Sequence, residues 1–233
     1  MSAIGRAGAI VAFLAVLLAV DTQVALPGQL ALGGITWAAL GVALAPLSPL
    51  VRVQTLIVVA VATCGEIMGS IVWGVYTYRL ENLPSFVPPA HGLVYLAGAA
   101  LAAWAAPRRE LLVRFALVLV LAWALAGLTV LPRADVGGAL GATLLALYLL
   151  RGRSPATYAG VFLVVAWLEL YGTALGTWTW AVEIPGTTVP NGNPPSGVAA
   201  GYVWFDIVAL AAAPRLLALL QRARRPDLVA DSN

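Results

Sequence analysis

The sequence predicts an all-α, polytopic membrane protein: a helix bundle of about eight transmembrane helices, built from two four-helix pseudo-repeats. Three observations carry that expectation. Hydrophobic residues make up 61% of the 233 residues and charged residues only 10%, whereas a soluble domain carries about a quarter of its residues charged. The mean hydropathy is +0.93, so the surface needs a solvent that tolerates apolar groups, and the bilayer is that solvent. The apolar residues also fall into eight runs, and the first four carry a motif that returns in the last four.

A membrane helix needs about 20 apolar residues at a rise of 1.5 Å each. The runs predict spans at 7–25, 29–48, 52–78, 90–106, 110–131, 136–150, 156–180 and 196–219. Turn chemistry or charge marks each break: Pro27-Gly28, Pro46 to Pro49, Pro84 to Pro89, Pro107 to Arg109, Pro132-Arg133, Arg151 to Arg153, and Pro185 to Pro195. The run at 136–150 is short and rich in glycine. The first run lacks a small-residue cleavage site and is expected to be a retained helix, not a signal peptide. Cys64 stands alone in an apolar run, so no disulfide framework is expected.

Arginine sets the predicted orientation. All 13 basic residues are Arg. They sit at span ends, so the net charge of +3 reads as membrane topology and not as nucleic-acid binding. With the N-terminus in the cytoplasm, that side holds Arg6, Arg52, Arg108, Arg109, Arg151, Arg153, Arg222, Arg224 and Arg225, and the other side only Arg79 and Arg133. The expectation is one multi-pass domain of a bacterial plasma membrane, both termini cytoplasmic, with a short tail over 223–233.

The motif runs Glu66-Ile-Met-Gly69-Ser70, then Gly74-Val-Tyr76-Thr77-Tyr78; it returns as Glu169-Leu-Tyr-Gly172-Thr173, then Gly176-Thr-Trp178-Thr179-Trp180. Pro88-Pro89 and Tyr95 likewise match Pro194-Pro195 and Tyr202. The predicted pseudo-repeats cover about 1–107 and 108–222. Four spans per unit would give both halves the same orientation, about an axis along the membrane normal.

Three carboxyls fall inside predicted spans: Glu66, Glu169 and Asp206. An ionised group at the bilayer centre costs about 2.5–3.5 kcal/mol on insertion scales, so such residues face the protein interior and mark function. Glu66 is twelve residues before Tyr78, Glu169 eleven before Trp180, and Asp206 eleven after Pro195. Straight helices would set all three roughly 16–18 Å below the outer boundary, in one shared cavity. They are the candidate catalytic groups, against the plainer reading of acids that glue helices together. The glycines around them permit close helix packing or leave room for a ligand.

Trp73, Tyr76, His91, Tyr95, Tyr171, Trp178, Tyr202 and Trp204 are the candidate substrate contacts, because aromatic walls stabilise a cation. Tyr78 and Trp180 fit an interfacial belt. His91, the one histidine, would relay protons or cap the fourth helix. The residues show no metal-ligand cluster, phosphate loop or Ser-His-Asp spacing, so no metal and no cofactor are expected.

With Glu66 in an early helix and Asp206 in Gly201-Tyr-Val-Trp204-Phe-Asp206, the chain resembles the membrane-integral terpene cyclases of meroterpenoid and indole-diterpene pathways. That resemblance implies two intramembrane acids, Glu66 and Asp206, that protonate an alkene or epoxide and guide the cation. The family is drawn with seven helices, and Glu169 and Val87-Pro-Pro-Ala-His91-Gly92 have no match in it. The Glu-x-x-Gly-Ser/Thr and Gly-x-aromatic-x-aromatic stretches look like the membrane carotenoid hydratases, which implies water addition across a terminal isoprenoid double bond. Both resemblances imply a lipid-soluble isoprenoid or prenylated small molecule as partner, beside membrane lipids, and no nucleic acid. A small proton-coupled transporter, or a non-catalytic assembly subunit, is the alternative from another class.

Overall fold

The computed structural model describes residues 1–223. Arg224, Arg225 and all but the first residue of the predicted tail lie outside the described residues. Among these the chain forms eight α-helices: α1 (Ala3–Asp21), α2 (Leu26–Leu44), α3 (Pro49–Glu66), α4 (Val87–Trp104), α5 (Arg109–Thr129), α6 (Val136–Arg151), α7 (Pro155–Leu175) and α8 (Ala199–Ala223). A π-helical segment, Ile67–Trp73, continues α3. Six of these stretches are long and apolar enough to cross a membrane; α3 reaches that length together with its π segment. The other two are α4 and α6. His91, Pro88, Pro89 and Tyr95 dilute the apolar content of α4, which buries most of its residues at the bundle's centre. The 16 residues of α6 reach only about 24 Å, short of the ~30 Å hydrocarbon core.

Two predicted spans end differently from expectation. The runs 52–78 and 156–180 are not helical to their last residues. Gly74 and Gly176 adopt left-handed φ values of 74° and 73° and close the π segment and α7. A residue without Cβ takes that conformation at no steric cost. The chain then doubles back as β1 (Tyr76–Tyr78) and β2 (Trp178–Trp180). The strands pair antiparallel, with Tyr76 opposite Trp180, Thr77 opposite Thr179 and Tyr78 opposite Trp178. Exchanging the two motifs leaves this register unchanged. Arg79 N donates to Thr177 O and Ala181 N to Val75 O, so the flanking bonds exchange as well.

The inner helices follow the same exchange. Helix α3 lies along α8 and α7 along α4; α3 also meets α4, and α7 meets α8. Of the outer helices, α2 on α4 and α6 on α8 keep it, but α1 packs on α4 and α7, whereas α5 packs on α6 and α7. Glycine lets α4 and α7 meet backbone to backbone, since a Cβ on Gly160 would fall 2.2 Å from the Gly98 carbonyl oxygen.

Polar side chains pin the strands to the helical hairpins at that end. Arg79 donates to the carbonyls of Asp21 and Val24 in the α1–α2 turn. Arg133, from the α5–α6 turn, donates to the carbonyls of Trp180 and Ala181. Asp135 accepts from the backbone N–H groups of Gly138, Gly192 and Ser196, which ties the loop between β2 and α8 onto the N-terminus of α6.

Candidate active site

Glu66 closes α3, and its equivalent Glu169 lies six residues before the end of α7. In each motif the glycine three residues later is what lets the following strand reach back to the acid. A Cβ at Gly69 would stand 3.0 Å from the Tyr76 ring, and one at Gly172 only 2.1 Å from the Trp178 ring. The aromatic therefore lies over the glycine and points its donor one helical turn back, at the carboxylate. The hydroxyls of Ser70 and Thr173 fold onto the carbonyls of Glu66 and Glu169 and stay out of the way. Glycine in this motif thus serves the contact between strand and acid, beyond the two roles the sequence suggested.

Each carboxyl sits in a cage of three donors, and the cages differ. Glu66 Oε2 accepts from Tyr76 Oη at 2.8 Å and Tyr78 Oη at 2.6 Å, while Oε1 meets His91 Nε2 at 2.8 Å. Burial first, and the Glu66 charge second, push both tyrosine hydroxyls well above the ordinary phenol range, so they remain donors. Glu169 Oε2 accepts from Trp178 Nε1 at 2.9 Å and Trp180 Nε1 at 3.1 Å. Its Oε1 has only Tyr202 Oη, at 3.5 Å. Charge-assisted hydrogen bonds are short, so three close donors suit Glu66 as an acceptor-only carboxylate. The loosely held Oε1 leaves Glu169 an oxygen with room for a proton.

Both acids line one cavity of about 70 Å³. Its polar wall is Glu66, Tyr76, Tyr78, His91, Glu169, Trp178, Trp180 and Tyr202; Leu14, Leu17, Leu18, Phe86, Val94 and Leu168 give the apolar remainder. At about 10–15 Å³ of such volume per water, it holds roughly five water-sized groups. Tyr202 covers His91, ring centroids 4.8 Å apart, and Tyr76 meets Trp180 at 4.6 Å.

The structure therefore brings together Glu66, Glu169, Tyr76, His91, Trp178 and Tyr202 from among the sequence candidates. It leaves out Asp206, Trp73, Tyr95, Tyr171 and Trp204. Asp206 is buried in α8 and does not line the cavity; the two acids that line it are Glu66 and Glu169. Glu169 and Asp206 lie six and seven residues from the strand-side ends of α7 and α8, or about 9–11 Å along each helix. Trp73 and Trp204 are about half exposed on the outside of the bundle, Trp73 bonding the Pro185 carbonyl. The π segment breaks the α periodicity that would have placed Trp73 on the Glu66 face. Tyr95 is buried against Gln54, and Tyr171 stacks on Trp167.

His91 does not cap α4, where no side-chain cap forms; it faces Glu66. Tyr78 and Trp180, expected in an interfacial belt, line the cavity and donate to the two acids. The repeat held the signal for both, because each motif keeps two aromatics at the same alternate positions. The α1 leucines carried no signal beyond their apolarity.

The chain matches no family model, no curated protein and no solved structure among those with which it was compared.

Proposed function

We propose that the chain is a membrane-embedded, isoprenoid-modifying enzyme of the terpene cyclase kind, which starts its reaction by handing a proton from a carboxylic acid to an alkene or epoxide. One observation carries the reading. Two carboxyls with unequal donor sets share an aromatic-walled cavity inside an apolar bundle. Such a site suits a proton donor facing a fixed acceptor.

In this reading Glu169 Oε1 gives its proton to one alkene carbon. The π pair becomes the new C–H bond, and the neighbouring carbon is left cationic. The faces of Tyr76, Trp178, Trp180 and Tyr202 and the Glu66 carboxylate stabilise that cation. Attack of a second double bond of the chain on that cation closes a ring and leaves a new cationic carbon. Loss of an adjacent proton to the Glu66–His91 pair then ends the reaction as an alkene. Capture of water, with its surplus proton passing to the same pair, ends it as an alcohol. The cavity, about 70 Å³, takes the end of an isoprenoid chain at which the proton is delivered.

The enzyme works on a lipid-soluble isoprenoid or prenylated molecule from the surrounding lipid. It lies in a bacterial plasma membrane with its Arg-rich end and both termini in the cytoplasm.

The test is turnover of prenylated and linear polyene substrates in reconstituted membranes. Glu66→Gln and Glu169→Gln each lower turnover at least about 100-fold, the lower range for loss of a general acid or base. Wild-type turnover in both variants overturns the reading. Proton-driven flux of a solute, lost in the same variants without any chemical conversion, makes the chain a transporter instead.

A further inference from the structure

The cavity takes the end of an isoprenoid chain, so the rest of that chain has to leave through a wall. Most lining residues are buried; Tyr76, Ala90, Trp180, Val198 and Tyr202 are the ones exposed in part. Two of these touch the Glu66–His91 pair. The Tyr76 hydroxyl donates to Glu66 at 2.8 Å, and the Tyr202 ring lies 4.8 Å from the His91 ring. Phe205 is a third ring at the same place, 5.9 Å from His91 and 6.2 Å from Tyr202. It does not line the cavity, yet it is partly exposed, so its free surface faces outward. Its neighbour Trp204, 5.8 Å away, is 49% exposed. On this side a single ring, Phe205, stands between His91 and the outside of the bundle. The opposite wall is deeper: Leu14, Leu17, Leu18 and Phe86 are each 3% exposed or less.

Glycines leave that side thin. Phe205 rests on Gly65 of α3, where a Cβ would stand 2.7 Å from the ring, and Tyr76 rests on Gly69 of the π segment at 3.0 Å. Gly201 is exposed, and a Cβ there would meet nothing within 4 Å. It precedes Phe205 by four residues, hence on the same face of α8 and nearer the strands. Helix α8 lies along α3. Together these residues edge a slot beside α8, floored by Phe205 and open at Gly201. In a bilayer such a side opening meets lipid tails, which an apolar chain leaves at no cost in hydration.

We infer that this slot is the entrance from the lipid and the seat of the substrate's tail. The reacting end passes Phe205 and Tyr202 to reach Glu66 and Glu169. The remainder of a linear chain lies outside, along Gly201 and Trp204. This narrows the substrate class to chains whose reacting end is plain hydrocarbon. A charged headgroup at that end would have to shed its water among the rings, at a cost no partner there offsets, so any headgroup sits at the far end. The entrance rests on the proposed function for the chemistry of the chain, and on the geometry alone for its place.

The probe is geranylgeraniol carrying a diazirine at mid-chain, added to the protein in lipid nanodiscs and activated by light. Peptide masses locate the adducts, and only those removed by excess plain geranylgeraniol are counted. They are expected on the stretches 65–69 and 201–205. Gly201→Trp fills the slot from outside, where no packed neighbour stands in its way. It lowers the counted adducts at least about tenfold, equal to roughly 1.4 kcal/mol of occupancy. If Gly201→Trp does not fold, Gly201→Leu decides, since leucine is a good helix former. Counted adducts on other helices, none at all, or adducts unchanged in the Gly201 variant each overturn the inference. Labelling needs no turnover. Adducts at the slot without turnover remove the enzyme reading alone, and turnover with adducts elsewhere removes the entrance alone.

Discussion

At the scale of single residues, Glu66 and Glu169 occupy equivalent positions with opposite equipment. Two tyrosines and a histidine surround one; two tryptophans and a distant tyrosine surround the other. A hydroxyl held at 2.6 Å against a carboxylate is a strong donor, and a buried hydrogen bond to a charged group contributes about 1.5–3 kcal/mol. Tyr78→Phe removes that bond without creating a cavity. The expected loss is of this size, read as a lower thermal midpoint in detergent. Trp180→Phe gives up a longer bond from a partly exposed ring, so its loss is smaller; equal losses would contradict the ranking. The acids themselves were legible, because a carboxyl in an apolar run is conspicuous. Their partners were not: a hydrogen bond depends on where a strand returns in space, and spacing along a helix does not encode that.

At the scale of elements, the two motifs differ by one residue. Four steps lead from Ser70 to Gly74, but three from Thr173 to Gly176. The extra residue is taken up as the π segment Ile67–Trp73, whereas α7 stays regular to Leu175. A π turn is how a helix absorbs one inserted residue without losing its hydrogen bonds. Here it keeps Gly74 and β1 in register with β2 despite the insertion. Deleting the exposed Ile71 would give this motif the spacing of α7 and relax the segment to α, with Glu66 still in register with β1. Alanine at Gly74 or Gly176 forces φ > 0 on a residue with a Cβ and costs about 1 kcal/mol. Thermal unfolding of the deletion variant is expected to show a smaller loss than Gly74→Ala. If the deletion proves costlier than the alanine, the segment does more than absorb the extra residue.

At the scale of the molecule, the site exists because α4 and α7 meet closely while the strands close one end. Gly98 and Gly160 allow that approach, as small residues do between membrane helices. Gly160→Ala pushes α7 from α4 and costs roughly 1–3 kcal/mol, the usual range for overpacking; an unchanged thermal midpoint would show that the contact is not tight. Arginine placement sets the remaining expectation. Arg79 and Arg133 are bound to carbonyls at the strand end, whereas the others described lie within helices or at their other ends. Reporter fusions at both termini are therefore expected to report the cytoplasm; a periplasmic signal from either refutes the orientation.

The sequence by itself determined the helical class, the number of helices to within their ends, the paired motifs and two of the acids that share the cavity. These follow from local quantities: apolar content, period and the positions of Gly, Pro and Arg. Only the tertiary structure decided that the spans at 52–78 and 156–180 break into strands, that Glu66 and Glu169 are the two acids lining the cavity, and that α1 supplies the apolar wall. A helix end is a contest between propensity and pairing. Tyr76 to Tyr78 and Trp178 to Trp180 leave the helix because each finds the other, far away along the chain.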